Sequence, residues 1–455
     1  MKKRSLFAIS LMSMALVACS NDEEVNKVID PAGEGALVTL KLDVAKPQTK
    51  GSPSATNTQP GTEAENAISN VTVVVDYGTE QKYFTNTTDG ATWDATNKKL
   101  SFKAPEGEAT FYVYANTNNA DPVSSSWKVD LVSAGTVSDY YKASNFFMSN
   151  QDGKGITHTI NATTDNAVSV NVERAAAKVT VESKASFTDN TYGGTMTDMS
   201  FTLGNMVDKF YLLQQSEYTI PSNVSYLPNG NAGANAWFDV TLDKSVSGEN
   251  AVEATSLIGV YCMENVKNTY TQNNTTYAKF KTTFTPGKAL DFEVATGEDA
   301  TGLVVKNELK DVTAPSDGET APSFYVVLEG NNDLTSNYIM KSDLYNEDGT
   351  TLKNGVTITQ DGTVTGIDGI TKISAEYVNG QCYFGPIWFN IDETKSKSPV
   401  YRNDWYHLTV TKIKLPGSPQ EPDPDTTDPL VPDVNVTVTA TVLNWEWEPR
   451  NIELQ

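Results

Sequence analysis

Residues 167–185 read AVSVNVERAAAKVTVESKA, and their pattern decides the fold. Val168, Val170 and Val172 alternate with Ser169 and Asn171, and Val179 and Val181 alternate with Thr180 and Glu182. Apolar and polar residues in strict alternation mark a strand that buries one face. The two runs are interrupted by Glu173-Arg174-Ala175-Ala176-Ala177, which reads as the crossing from one β-domain into another.

Working upstream, ALVTLKLDV (36–44) sets Val38, Leu40, Leu42 and Val44 on one face and Thr39, Lys41 and Asp43 on the other. VTVVVDYG and SFKAPEGEATFYVYAN continue the strand pattern. Residues 121–150, with Trp127, Tyr140, Tyr141 and Phe146, read as irregular or helical. Downstream, short strands run to TVTKIKL (409–415), separated by turn signals such as LPNGNAG, DKSVSGEN, NEDGT and TQDGTVTGIDG; that spacing suits a sandwich. NNDLTSNYIMKSDLYNEDGTTLKNG leaves room for short helices. The fold expected is therefore all-β. It has two tandem β-sandwich domains (36–175 and 176–415, of transthyretin-like or Greek-key type) with short helical insertions.

The chain's 455 residues are enough for two or three cores. With 57 acidic against 34 basic residues and a formal charge of −23, attraction to nucleic acid or anionic lipid is excluded as a main function. MKKRSLFAISLMSMALVAC (1–19) has a basic start, an apolar run and small residues leading to Cys19. It resembles a bacterial lipoprotein signal with Cys19 as the lipidated residue. Residues 20–35 then form a polar tether, so the membrane is met only through the precursor's lipid. Cys262 and Cys382 remain, and the residues leave open a disulfide or two buried thiols. His158 and His407 lie far apart and near no cysteine pattern, so no metal or cofactor is expected, and His407 reads as structural. No nucleophile elbow, phosphate-binding loop or zinc-protease motif occurs, and the chain does not read as an enzyme.

At the other end, PGSPQEPDPDTTDPLVPD (416–433) is a proline-rich spacer without regular structure, expected to hold the last strand away from the body. In VNVTVTATVLNWEWEPRNIELQ (434–455), Val436, Val438, Ala440 and Val442 make one apolar row. Trp445 and Trp447 fall on the other parity, which suggests a bulge and a second docking segment. The first strand, 36–44, matches this tail in length and alternation. Between 45 and 67 lies a loop rich in Pro, Gly, Ser and Thr. Lys46 precedes Pro47 and resists trypsin-like cleavage, whereas Lys50-Gly51 is open to it.

Three stretches, VNVERAAAKVTVESKA, SPVYRNDWYHLTVTKI and LNWEWEPRNIEL, together with the lipoprotein start and the spacer, resemble the fimbrillins of Bacteroidales type V pili, especially the short-fimbria major subunit type. The resemblance covers nearly the whole chain. It implies export as an outer-membrane lipoprotein and loss of the first strand (Val38, Leu40, Leu42, Val44) by a trypsin-like protease. It also implies filling of that slot by a neighbour's tail (Val436, Val438, Ala440, Val442, Trp445, Trp447). The family's cut usually follows arginine; here only lysine is offered, Lys50 before Gly51. The partners implied are further copies in a surface fibre, tip and anchor subunits, the protease, and host or bacterial receptors. A second reading is a surface lipoprotein that binds glycans through exposed Trp388 and Trp405, with Lys50 uncut and the terminal strand paired within its own chain.

Overall fold

The computed structural model describes residues 34–44, 58–117, 131–132, 141–142, 145–187, 193–227, 237–240, 242–243, 251–254, 259–297, 301–316, 318–330, 337–389, 397–431, 433 and 435–446. The chain is all-β and built of several sheets. In the first half the strands used below are β1 (Ala36–Val44), β2 (Thr58–Pro60), β3 (Val71–Asp76), β4 (Gln81–Thr85), β5 (Thr92–Asp94), β6 (Lys99–Ala104), β7 (Gly107–Ala115), β8 (Met148–Asn150), β9 (Ile156–Ile160) and β10 (Asn166–Arg174). All except β2 form one nine-stranded sheet, in the order β4-β3-β7-β8-β10-β1-β6-β5 with β9 added on β7. Its alternating residues close a core that includes Val38, Leu40, Phe102, Phe111, Val113, Val168 and Val170. The described parts of 121–150 carry short strands and no helix.

In the second half, β11 (Ala176–Phe187), β12 (Gly194–Gly204), β13 (Val260–Met263), β14 (Tyr277–Pro286), β15 (Gln381–Trp388), β16 (Asp404–Ile413) and β17 (Val436–Glu446) frame the other main core. One sheet runs β2-β17-β16-β11 with β13 also on β11; the other runs β12-β14-β15. Val179, Val181, Leu408 and Val410 from the first meet Phe280, Phe284 and Phe384 from the second. Ala176 belongs to the first main core and Ala177 to the second. A further cluster gathers Leu290, Leu303, Tyr325, Ile339, Leu344 and Ile370. The insertion expected to hold helices carries a single α-turn, Lys341–Leu344.

The disulfide considered for Cys262 and Cys382 does not form: both thiols are free and fully buried. Cys262 is opposite Ala177 in one sheet, and Cys382 is opposite Thr282 in the other. Burial pushes each thiol up to about 12. Cys262 and Cys382 are therefore expected to resist thiol reagents in the native protein and to react together on unfolding, as read by peptide mass after labelling. Labelling of either without unfolding would contradict this burial.

Candidate assembly site

The first strand lies inside its sheet. Residues 38–44 pair in parallel with β10, from Val38↔Asn166 to Val44↔Val172, and residues 36–41 pair antiparallel with β6, from Ala36↔Ala104 to Lys41↔Lys99. Ala36, Val38, Leu40, Leu42 and Val44 are all buried, none more than 7% exposed. Burying each large side chain of this row contributes about 1.5–3 kcal/mol. Taking the strand away would leave an apolar slot lined by the open edges of β6 and β10. At its amino end Gly35 takes φ 115, and a β-carbon there would stand 2.4 Å from the Ala104 carbonyl oxygen. Only glycine allows that approach.

The loop after this strand is not loop throughout. Thr58–Pro60 adds as β2, in parallel, to the far end of the last strand, and Ala64–Asn66 makes a 3₁₀ turn buried at the junction of the two halves. Glu65, 2% exposed, holds Lys178 Nζ at 2.8 Å, accepts the Tyr261 hydroxyl at 2.5 Å and accepts Thr62 N–H at 2.7 Å. Arg174, also fully buried, donates Nε to the Glu65 carbonyl at 3.1 Å, Nη1 to Asn403 Oδ1 at 2.9 Å, and Nη2 to Asn66 Oδ1. Lys98 Nζ reaches the Asn66 carbonyl at 3.2 Å, and Lys178 Nζ lies 3.9 Å from the centre of the Trp405 ring. Burial alone would raise the Glu65 carboxyl. The hydrogen bonds from Lys178 and Tyr261, with the Lys178 charge, outweigh it and hold the group below the ordinary value. Burial draws the Arg174 guanidinium down to about 10, and draws Lys178 down as well. Next to this cluster, Arg402 pairs with Glu264 through both Nε and Nη2. Arg174 and Arg402-Asn403 belong to two of the three stretches that carry the sequence resemblance, and the fold brings them together.

The last strand corrects two expectations. It is not held at arm's length: β17 pairs antiparallel with its own β16 from Val436↔Ile413 to Asn444↔Asp404, and with β2 at Thr58↔Asn444 through Pro60↔Glu446. Val436 is buried, and Val438 and Ala440 are partly buried against the second core, while Thr437 and Thr439 are exposed. The bulge expected after Val442 is absent, since the register runs unbroken from Val438 to Asn444; the irregularity lies opposite Thr437–Val438, on β16 between Val410 and Lys412. The spacer, too, is strapped to the body. Tyr383 and Ser418 exchange both backbone hydrogen bonds, and Gln272 and Asn273 donate to the carbonyls of Asp428 and Thr426. Trp388 Nε1 donates to the Val431 carbonyl at 2.9 Å, and Leu430 is buried beside Trp388 and Tyr277. Prolines rule out a ladder here but not single hydrogen bonds from their neighbours and carbonyls, so a chain without regular structure still docks.

The tryptophans of the glycan-binding reading are not surface groups. Trp388 is 3% and Trp405 6% exposed, and Trp405 Nε1 donates to Thr180 Oγ1 at 2.7 Å. That reading loses its aromatic surface. His407 lies on β16, with Nδ1 3.0 Å from Thr180 Oγ1 and Nε2 3.1 Å from Glu182 Oε2. Cys19, Lys50, Gly51 and Trp447 lie outside the described residues, as do the side chains of Val442 and Trp445. The sequence reading missed Glu65, Asn66 and Lys98. A single buried glutamate in a Thr/Gly-rich stretch carries no local signal, and its cationic partners lie more than a hundred residues further on.

Residues 375–451 match the family described as major fimbrial subunit protein type IV, fimbrillin, C-terminal. That match covers the carboxy-terminal part of the 455-residue chain. The description is of a major fimbrial subunit, a structural protein. The matched region contains β15, Arg402, the strapped spacer and β17. Among solved structures, a fimbrilin (FimA) from Porphyromonas gingivalis W83 is similar at 14% identity and a TM-score of 0.45, over 91% of this chain and 99% of that one. A candidate cell adhesion protein from Parabacteroides distasonis ATCC 8503 is similar at 14% identity and 0.45, over 92% and 98%. Both are distant likenesses. No curated protein matches the chain.

Proposed function

We propose that this protein is a fimbrillin, the stalk subunit of a Bacteroidales short-fimbria type pilus that serves adhesion. It would be exported as a lipoprotein lipidated on Cys19 and cut after Lys50. Residues 436–446 of one copy would then seat in the slot that β1 vacates in the next. Residues 36–175 would form the acceptor domain and 176–415 the second domain, with tip and anchor subunits and surface receptors as further partners.

The observation that carries this reading is the inequality of two seats. β1 sits between two strands with its apolar row buried. β17 carries a similar row, but over residues 436–443 its described register is to β16 alone, and Val438 and Ala440 are only partly buried. Moving such a strand from a sheet edge into a central slot adds a second set of backbone hydrogen bonds, each contributing about 0.5–1.5 kcal/mol, and completes side-chain burial. Pairing of β17 within its own chain is then the resting state of an unassembled subunit. Head-to-tail donation between two different surfaces does not close on itself and yields a fibre.

The test is the mass and amino-terminal sequence of the subunit in shed fibres. A start at Gly51 is expected. Fibre subunits that retain residues 36–44 covalently would overturn the reading.

A further inference from the structure

We propose that cutting the loop does not empty the slot: β1 stays seated after the cut and is later displaced from its Val44 end, with Asn166 as the last hold at the other. This rests on the reading above that β1 is the strand given up, and concerns what retains it and which end leaves first.

Each end of β1 is in register with one neighbour alone, residues 43–44 with β10 and residues 36–37 with β6, and the ends differ in what is added to that pairing. At the Val44 end the register with β6 stops at Lys41. Beyond it Leu42 N–H reaches the Lys98 carbonyl at 3.0 Å, and residues 43–44 continue in register with β10 alone. Lys98 takes a left-handed conformation, φ 53, where the chain turns into β6. At the Ala36 end the pairing with β6 is continuous. There the register with β10 begins at Val38, and the Asn166 side chain donates Nδ2 to the Leu37 carbonyl at 2.8 Å. Asn166 is 1% exposed, and its amide is fixed by the turn before β10: Nδ2 also meets the Asn161 and Thr164 carbonyls at 2.9 and 3.2 Å, and Oδ1 accepts Asn161 N–H at 2.9 Å. Gly35 lies directly on Ala104, as described above.

A cut between Val44 and Thr58 therefore frees the end that lacks the Asn166 side-chain clamp. It leaves five buried side chains and the Asn166 clamp unbroken. The segment on the other side of the cut is held separately, by β2 on β17 and by Glu65 on Lys178. Neither cut end pulls the other away. An incoming strand would gain its first hydrogen bonds over β10 residues 171–172 and advance toward Ala104. Because lipid on Cys19 would travel with β1, the cut subunit remains anchored until that strand arrives.

The full chain, cut by limited proteolysis confined to residues 45–57, tests this. Native mass spectrometry should find the amino-terminal fragment retained, with loss only in denaturant or on addition of a synthetic 434–455 peptide. Hydrogen exchange of the cut protein should be at least about tenfold faster at residues 42–44 than at 37–40. Asn166→Ala should speed fragment loss about tenfold, the size expected for one buried hydrogen bond. Fragment loss within the time of cutting, or exchange that begins at 37–40, overturns the proposal. Should the variant fail to fold, the exchange order in the unsubstituted protein decides. A fragment that stays but is never displaced by the peptide supports retention and refutes tail donation, so the two readings fail separately.

Discussion

Ending the chain after Val431 is expected to abolish fibres while leaving a folded subunit. The truncation removes β17 but keeps the strap, including Leu430 and the carbonyl that accepts Trp388 Nε1. The second core loses full burial of Val436 and partial burial of Val438 and Ala440, and β16 becomes an edge. The loss should be about 2–4 kcal/mol, from one fully buried and two partly buried side chains. That is small beside the several cores of this chain, so cooperative unfolding should persist at a lowered midpoint. Electron microscopy should show no fibres from the truncated chain. Val438→Asp in the full chain should weaken assembly in the same direction, because a carboxylate in a dry central slot costs far more than at a half-exposed edge. Fibres of ordinary length from the truncated protein would refute the assembly role of the tail.

Replacing Glu65 by Ala should destabilise the protein by about 3–5 kcal/mol, the usual consequence of removing one member of a buried ion pair. Lys178, 6% exposed, would lose its carboxylate and the Tyr261 hydroxyl its acceptor, and fully buried Arg174 would lose the nearby negative charge while keeping its bond to the residue 65 carbonyl. Glu65→Gln keeps an acceptor for Tyr261 and should cost less. The pH dependence has a definite sign. The folded carboxyl lies below its ordinary value of 4.5, so this contribution is present in full above that pH and is lost as pH falls through the lower folded value. Urea unfolding from pH 7 down to pH 3 should show the loss in the parent and a flatter curve in Glu65→Gln. An Ala variant within 1 kcal/mol of the parent at pH 7 would mean that the junction does not depend on this pair. The clamp also bears on maturation, since residues 58–66 follow the proposed cut and must remain attached once the chain before them is severed.

The sequence by itself determined what is periodic and near at hand. Alternation in 36–44, 167–185 and 434–442 predicts strands, and their buried rows, because side chains on a strand change face at every residue. The Glu173–Ala177 interruption, the prolines of 416–433 and the Arg-Asn-x-x-Tyr-His stretch were equally visible. What each strand lies against was not. The pairing of β17 with β16, the docking of a proline-rich strap, the separate sheets of Cys262 and Cys382, and the meeting of Glu65 with Lys178 all depend on contacts between distant parts of the chain. So does the burial of Trp388 and Trp405, residues whose type alone suits a binding surface as well as a core. Local pattern sets which face of a strand is apolar; only tertiary packing decides how deeply that face is buried and how many neighbours bond its edges, and here that difference separates the seat of β1 from the seat of β17.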